Sequence, residues 1–430
     1  MAMQAQSDAV SIRNLSGRIG PAFIVGATII GPGSITLMSK TGSLYGYSML
    51  WLSVLAGVLM ACFIALFMRF GILCEDTFLG LTAKKLGRWY AVICGVGVFC
   101  IAAAFQFGNC MGVTAAMGLL LGGVAKLVWP LAFTGAAIAF MFAFKRIYTI
   151  VEKMMTVLLI LMLAAFGANL VLARPSALGV LHGVAVPTIP PGVDWITIGG
   201  LVATTFSIAG AFFQSYLVKA KGWGERDLAS GTTDTVLGSI MLTLIGTVIM
   251  MTAASVLHPR GIEVTSATDM VMQLERFFGA GAKYVFCVGF WAAAFSSFVT
   301  NALVGGVMVN DGVGLGGKLD SVPTKALATL VLLVGMTTAV LIILAADEPG
   351  GGTEVMIRAI VVGQAATLVA VPLCAIAMVV VLFDRRATKG RGLPLWAKVL
   401  VPIGAVVLLG IATRTLLTLW PMLRGMLGLE

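Results

Sequence analysis

The stretch Gly26-Ala27-Thr28-Ile29-Ile30-Gly31-Pro32-Gly33-Ser34 lies inside an apolar run that extends from about residue 20 to 46. A run of that length crosses a bilayer as a helix, yet its centre is poorly suited to one. Pro32 lacks a backbone donor and biases Gly31 away from helical backbone angles. Gly31 and Gly33 loosen the chain on either side. The stretch therefore reads as a helix in two halves, with Ser34 near the start of the second. Unwound backbone at membrane depth is tolerated only where it faces protein or a water-filled cavity. The alternative is a plain kink, because Gly and Pro are commoner in membrane helices than in soluble ones.

The rest of the chain places this break in a membrane. Of 430 residues, 59% are apolar and 11% are charged, against roughly a quarter charged in an average soluble domain. The mean hydropathy is +1.04. A soluble globule of this size could not cover so much apolar surface, and disordered chains have the opposite composition. Eleven runs approach or exceed the roughly 20 residues needed to span. Their limits are 20–46, 47–72, 89–122, 128–144, 149–172, 194–220, 231–257, 278–310, 322–345, 352–383 and 396–424.

The sixth run has a second odd centre, Thr204-Thr205-Phe206-Ser207-Ile208-Ala209-Gly210-Ala211. Interrupted first and sixth spans suggest two five-helix inverted repeats with a substrate site between them. The expected organisation is a cytoplasmic segment 1–19, a first repeat 20–172, an outer loop 173–193, a second repeat 194–383, and a cytoplasmic loop with an eleventh helix over 384–430. The prolines Pro175, Pro187, Pro190 and Pro191 make 173–193 an irregular connection.

The net charge of +10 would raise nucleic acid in a soluble chain, but here the basic residues fall in short loops and read as topology signals. With the N-terminus inside, nineteen Lys and Arg lie on cytoplasmic segments, among them Lys84, Lys85, Arg88, Lys145, Arg146, Arg385, Arg386 and Arg391. Seven lie outside, among them Arg174, Arg260 and Arg358. A multi-pass protein of the plasma (inner) membrane is expected, with its N-terminus cytoplasmic and its C-terminus extracellular or periplasmic. The polar start of the chain has no signal-peptide core. Seven cysteines form no CxxC pair and read as small buried hydrophobes. Both histidines, His182 and His258, fall in outer loops.

At these motifs the chain resembles the NRAMP family of metal-ion transporters, which have the LeuT-type fold. Gly20-Pro21-Ala22-Phe23 and Tyr45-Gly46-Tyr47-Ser48-Met49-Leu50-Trp51 are similar to the family's GPGF and FGYSLLW segments. Ser296-Ser297-Phe298-Val299-Thr300, with Leu303, Gly305, Met308 and Gly312, resembles its SSTVTGTLAGQIVMEG stretch. Gly363-Gln364, Val371-Pro372-Leu373 and Asp384-Arg385-Arg386 resemble SQ, LPF and DRR. The resemblance implies an all-α, LeuT-type 5+5 inverted repeat of about eleven helices, with the first and sixth broken.

The same resemblance exposes substitutions. The family's DPGN, whose Asp and Asn bind metal, stands here as Gly31-Pro32-Gly33-Ser34. Its MPH falls on Ser207-Ile208-Ala209, registered on Gln214-Ser215. A helix-ten glutamine falls at Ala370, and acidic helix-three positions of the proton route fall at Gln106 and Asn109. A bare divalent cation in a low-dielectric cavity needs formal negative charge or a retained water shell. The expectation is a divergent member without a transition-metal site and without a cofactor.

An anion suits the remaining groups. Half-helices starting near Gly33 and near Gly210 present free N–H groups and a positive dipole end. Ser34, Thr204, Thr205 and Ser207 add hydroxyls. Gly31, Pro32, Gly33, Ser34, Thr204, Thr205, Ser207, Ile208, Ala209 and Gly210 are the expected substrate-binding stretch. Lys40, Gln106, Asn109, Gln214 and Gln364 are path or field residues, although Lys40 also reads as a snorkelling side chain. The resemblance to LeuT-type folds, which often hold sodium between helices one and eight, implies sodium as a candidate coupling ion, held by the Ala27 and Ile30 carbonyls with Ser296, Ser297 and Thr300, unless those small residues serve helix packing. The expected function is a secondary transporter of a small anion such as bicarbonate, or a similar polar solute. The alternatives are a divalent cation carrier for magnesium or manganese, and a channel or non-transporting member. No enzyme signature is present. The expected partners are a small ion or solute and the bilayer; the oligomeric state is open, and a monomer is compatible.

Overall fold

A computed structural model describes residues 20–144, 147–346, 353–390 and 392–427. The expected cytoplasmic segment 1–19, the topology residues Lys145, Arg146 and Arg391, and residues 347–352 and 428–430 lie outside the described residues.

Pro32 sets the first feature of the fold. It occupies the first turn of a helix, where its missing N–H costs nothing. The first run is accordingly split into α1 (Pro21–Ile29) and α2 (Pro32–Tyr45), which meet at 60°. After a turn follow α3 (Leu50–Leu73), the short α4 (Phe78–Leu86), α5 (Arg88–Leu120), α6 (Val128–Ala143) and α7 (Ile147–Ala173). The sixth run is also split, into α9 (Trp195–Thr205) and α10 (Ile208–Lys221), with Phe206 and Ser207 between them. Then come α11 (Leu228–Val256), α12 (Ala267–Phe278), α13 (Ala282–Gly312), α14 (Val322–Ala346), α15 (Thr353–Ala366), α16 (Val371–Leu382) and α17 (Leu395–Leu427).

All eleven expected runs coincide with a helix or a helix pair. Among the described residues, eight helical segments are long and apolar enough to cross a membrane, or nine with the bent first pair. Helix α6 is shorter. One local expectation needs correction, and two further features add to the sequence reading. Residues 173–193 are not wholly irregular: α8 (Ala177–Ala185) forms there, because the Ser176 hydroxyl accepts from the Gly179 N–H at 3.2 Å and caps it. The 258–277 connection carries the strongly amphipathic α12. The tenth run is interrupted by a single 3₁₀ turn at Thr367–Ala370, just before Pro372.

Packing places the first break at the centre. Helix α13 lies along α5, and α11 lies along α2 and α3. Helix α1 touches α7, α10, α11 and α13, while α2 touches α5, α9, α11, α13 and α15. Phenylalanines seal the neighbourhood of α10: Phe212 packs against Phe67 and Phe78 at 5.0 and 4.2 Å, and Phe206 against Phe63 at 5.0 Å between ring centres.

Candidate functional site

At the first break the α1 ladder ends with the Ile30 N–H on the Gly26 carbonyl at 2.9 Å. The Ser34 hydroxyl donates back to the Ile29 carbonyl at 2.5 Å. Helix α2 then starts after Gly31, and no side chain caps it. Pro32 offers no donor, so the N–H groups of Gly33 and Ser34 are left in the uncapped first turn of α2.

Buried amide side chains surround this turn. Gln364 of α15 lies against Gly33 and Gly108: a methyl on residue 33 would stand 2.4 Å from its Nε2, and one on residue 108 would stand 2.6 Å away. The side chain is fully buried, and neither polar atom has a partner in the protein. A methyl on Gly31 would meet the Ser297 hydroxyl at 2.8 Å and Asn109 Oδ1 at 3.0 Å. Asn109 in turn donates to Gln106 Oε1 at 3.4 Å, and Gln106 Nε2 is unpartnered. Native interiors rarely strand so many amide atoms. Gly31, Gly33, Asn109, Gln364 and Ser297 are thus brought together, with Gln106 next to them. Ala370, the position that the family pattern gave for a glutamine, packs on Gly97 instead, 3.2 Å from a methyl there.

The second break is built differently. Ser207 caps α10 itself, its hydroxyl accepting from Gly210 N–H at 3.2 Å. Thr204 and Thr205 both donate to the Leu201 carbonyl, at 3.1 and 3.0 Å. These hydroxyl protons and the Gly210 N–H are already bonded within the chain. Ile208 and Ala209 are buried beside them. Gln214, one turn further, is fully buried with both polar atoms unpartnered. A crevice of about 10 Å³ lined by Ile29, Ile30, Ser34 and Thr205 touches both breaks, which is room for about one water.

The proposed sodium ligands lie on facing helices. Ser296 donates to the Ala27 carbonyl at 3.5 Å and to Ala293 at 2.9 Å. Ser297 donates to the Thr28 carbonyl at 3.3 Å. Thr300 donates within its own helix to Ser296 at 2.8 Å. Asn301, which the residue patterns did not single out, joins this group: its Nδ2 donates to the Thr28 carbonyl at 3.1 Å and to the Ser297 hydroxyl at 2.7 Å.

Lys40 stands apart from this cluster. Its ammonium pairs with Glu263 at 3.5 Å and lines a cavity of about 350 Å³ with Asp194, Thr265 and Arg358. His182 and His258 both line a separate surface cavity of about 840 Å³.

Two buried carboxylates were missed as structural devices. Asp311 accepts from the Tyr216 hydroxyl at 2.6 Å and from Thr77 at 2.7 Å, tying α10 and the start of α4 to α13. Asp234 accepts backbone N–H groups at the start of α1. The available signal was an acidic residue inside an apolar run, which is costly unless it is bonded. Among the described residues, no three or more His, Cys, Asp or Glu side chains gather as metal ligands.

The family described as natural resistance-associated macrophage protein-like matches residues 22–418. A divalent metal cation transporter MntH of Erwinia tasmaniensis is 25% identical over 306 residues, covering 68% of this chain and 71% of the relative. The namesake from Pectobacterium carotovorum is 25% identical over 294 residues, with the same coverage. A crystal structure of a mutant Eremococcus coleocola manganese transporter superposes with a TM-score of 0.79 at 15% identity, covering 99% of this chain and 90% of its own. MhsT in complex with L-phenylalanine gives 0.55 at 16% identity, covering 91% and 98%. The fold is the LeuT type, and the chain belongs to the Nramp family of membrane transporters.

Proposed function

We propose that this protein is a secondary transporter that carries a small anion such as bicarbonate by alternating access, with sodium as the coupling ion. The observation that carries the reading is Gln364: a buried carboxamide with no partner, laid against Gly33 beside the uncapped start of α2. A carboxamide offers a donor and an acceptor, as bicarbonate does in reverse. Backbone N–H groups at a helix start favour negative charge. The side-chain atoms nearest to a methyl placed on Gly31 or Gly33 belong to amides and a hydroxyl, not to carboxylates.

Sodium fits the neighbouring oxygens. The Ala27 carbonyl and the Ser296 hydroxyl approach each other at 3.5 Å, with Ser297 and Thr300 on the same helix and the Ile30 carbonyl at the break. Two inverted five-helix repeats, a cytoplasmic N-terminus and an outward C-terminus complete the reading, on the basis of the Lys and Arg bias.

The rival is a divalent cation carrier. It is favoured by the names of the MntH relatives and of the manganese transporter that shares the fold. Against it stands the need of a dehydrated divalent ion for formal negative charge. Purified protein in liposomes separates the two. Saturable uptake of labelled bicarbonate, raised by an inward sodium gradient, supports the proposal. Quenching of an entrapped manganese-sensitive dye with no bicarbonate uptake overturns it.

A further inference from the structure

The start of α1 is gripped from three sides. Asp234 of α11, fully buried, accepts from the Gly20 N–H at 2.6 Å and from the Ala22 N–H at 2.8 Å. Pro21, between them, has no N–H to offer, and the two carboxylate oxygens take the donors on either side of it, one each. On the other side of Gly20, Lys221 of α10 pairs with Glu152 of α7 at 2.7 Å, both side chains mostly buried. A methyl on residue 20 would overlap Glu152 Oε1 at 1.9 Å and Lys221 Nζ at 2.4 Å. Tyr148 also donates to Glu152, at 3.4 Å. The backbone thus passes between a carboxylate and an ion pair, supplied by three different helices.

Helix α1 is a short, nine-residue half-span. Its far end is the 60° break, where regular hydrogen bonding to α2 is interrupted. Such a half-helix has a hinge at one end, and among the described residues its other end is held by the contacts around Gly20. The apolar packing of α1 is sequence-tolerant and non-directional. The Asp234 bonds are directional and charge-assisted, roughly twice as strong as neutral ones. Opening this end would strand a buried carboxylate unless water entered with it, so the clasp has two well-separated states rather than a continuum.

We propose that Asp234, with the Glu152–Lys221 pair, forms a gate clasp that holds α1 closed, and that release of the Gly20 and Ala22 N–H groups is the step that opens this end of the transport path. Asp234 is a positioning residue in this scheme; it touches no substrate. The inference rests on the alternating-access reading but on no particular cargo.

Hydrogen exchange followed by mass spectrometry, on the full chain in nanodiscs without substrate, tests it. In Asp234→Ala, exchange over residues 21–29 should accelerate about tenfold or more, while α5 and α13 stay at wild-type rates. Asp234→Glu should recover part of the protection. Unchanged α1 exchange, or acceleration shared equally by α5 and α13, overturns the clasp. Should Asp234→Ala fail to fold, Gly20→Ala, which keeps the carboxylate but expels the Glu152–Lys221 pair, should give the same local acceleration; wild-type protection in that variant overturns the proposal. Transport assays add a second readout. A clasp variant should change kcat with little change in KM, whereas an unchanged kcat contradicts the gate. Because exchange is read without cargo, its outcome is independent of whether bicarbonate or a metal is carried.

Discussion

Gln364 reaches the first helix break only because residue 33 is glycine: a methyl there would stand 2.4 Å from the Gln364 Nε2. The pair joins two helices far apart in the chain, since Gly33 belongs to α2 and Gln364 to α15. Gly108 of α5 clears the other side of the same amide.

Gly33→Ala should therefore push Gln364 out of place. Overpacking of this kind costs about 1–3 kcal/mol, concentrated at the site. The expected result is a KM for the anion raised about tenfold or more, with the protein still folded. Uptake kinetics and size-exclusion behaviour in detergent check both halves.

Gln364→Leu separates function from stability. A buried, unpartnered amide costs about 1–3 kcal/mol, and leucine has a similar size without that penalty. The variant should melt at a temperature equal to or above wild type, while transport falls about tenfold or more. A lower melting temperature together with intact transport would mean that the amide serves packing.

The sodium reading turns on Ser296 and Thr300. Ser296→Ala should raise the half-saturating sodium concentration about tenfold, the equivalent of about 1.4 kcal/mol, and Thr300→Ala should act in the same direction. Anion uptake measured against a sodium series checks this. If both variants keep the wild-type sodium curve, the small residues of α13 serve helix packing.

The Lys40–Glu263 pair should matter little to folding. Glu263 is half exposed and the separation is 3.5 Å, so Glu263→Gln should change stability by less than about 1 kcal/mol. Its effect belongs to the cavity that Lys40 shares with Arg358. Relieved of the carboxylate, the two cations should lower the KM for an anion, an effect that fades at high salt. Uptake at low and high ionic strength reads it.

Much of this was legible in the chain. The eleven runs follow from apolar length alone, and the α1–α2 break follows from Pro32 and its flanking glycines. The gathering of Gly31, Asn109 and Ser297 was reachable from the family pattern. What the sequence hid depends on rotamers and on three-dimensional neighbours. Thr204, Thr205 and Ser34 read as free donors, yet each turns its hydroxyl onto a carbonyl of its own span. Polar side chains in apolar helices commonly satisfy themselves this way. The 3₁₀ turn at Thr367–Ala370 was hidden because nothing but Pro372 marks it. Asn301 and Asp234 were overlooked because each bonds backbone groups in or beside α1, and residue patterns do not reveal backbone partners.

This break, lined by amides, hydroxyls and uncapped N–H groups, should reject a doubly charged cation. Calorimetric titration of the purified protein with manganese and magnesium addresses it directly, with Ser34→Asp as the comparison. The expected result is no saturable heat for the wild type and measurable cation binding once a carboxylate is introduced. Saturable, stoichiometric manganese or magnesium binding to the wild type would contradict it.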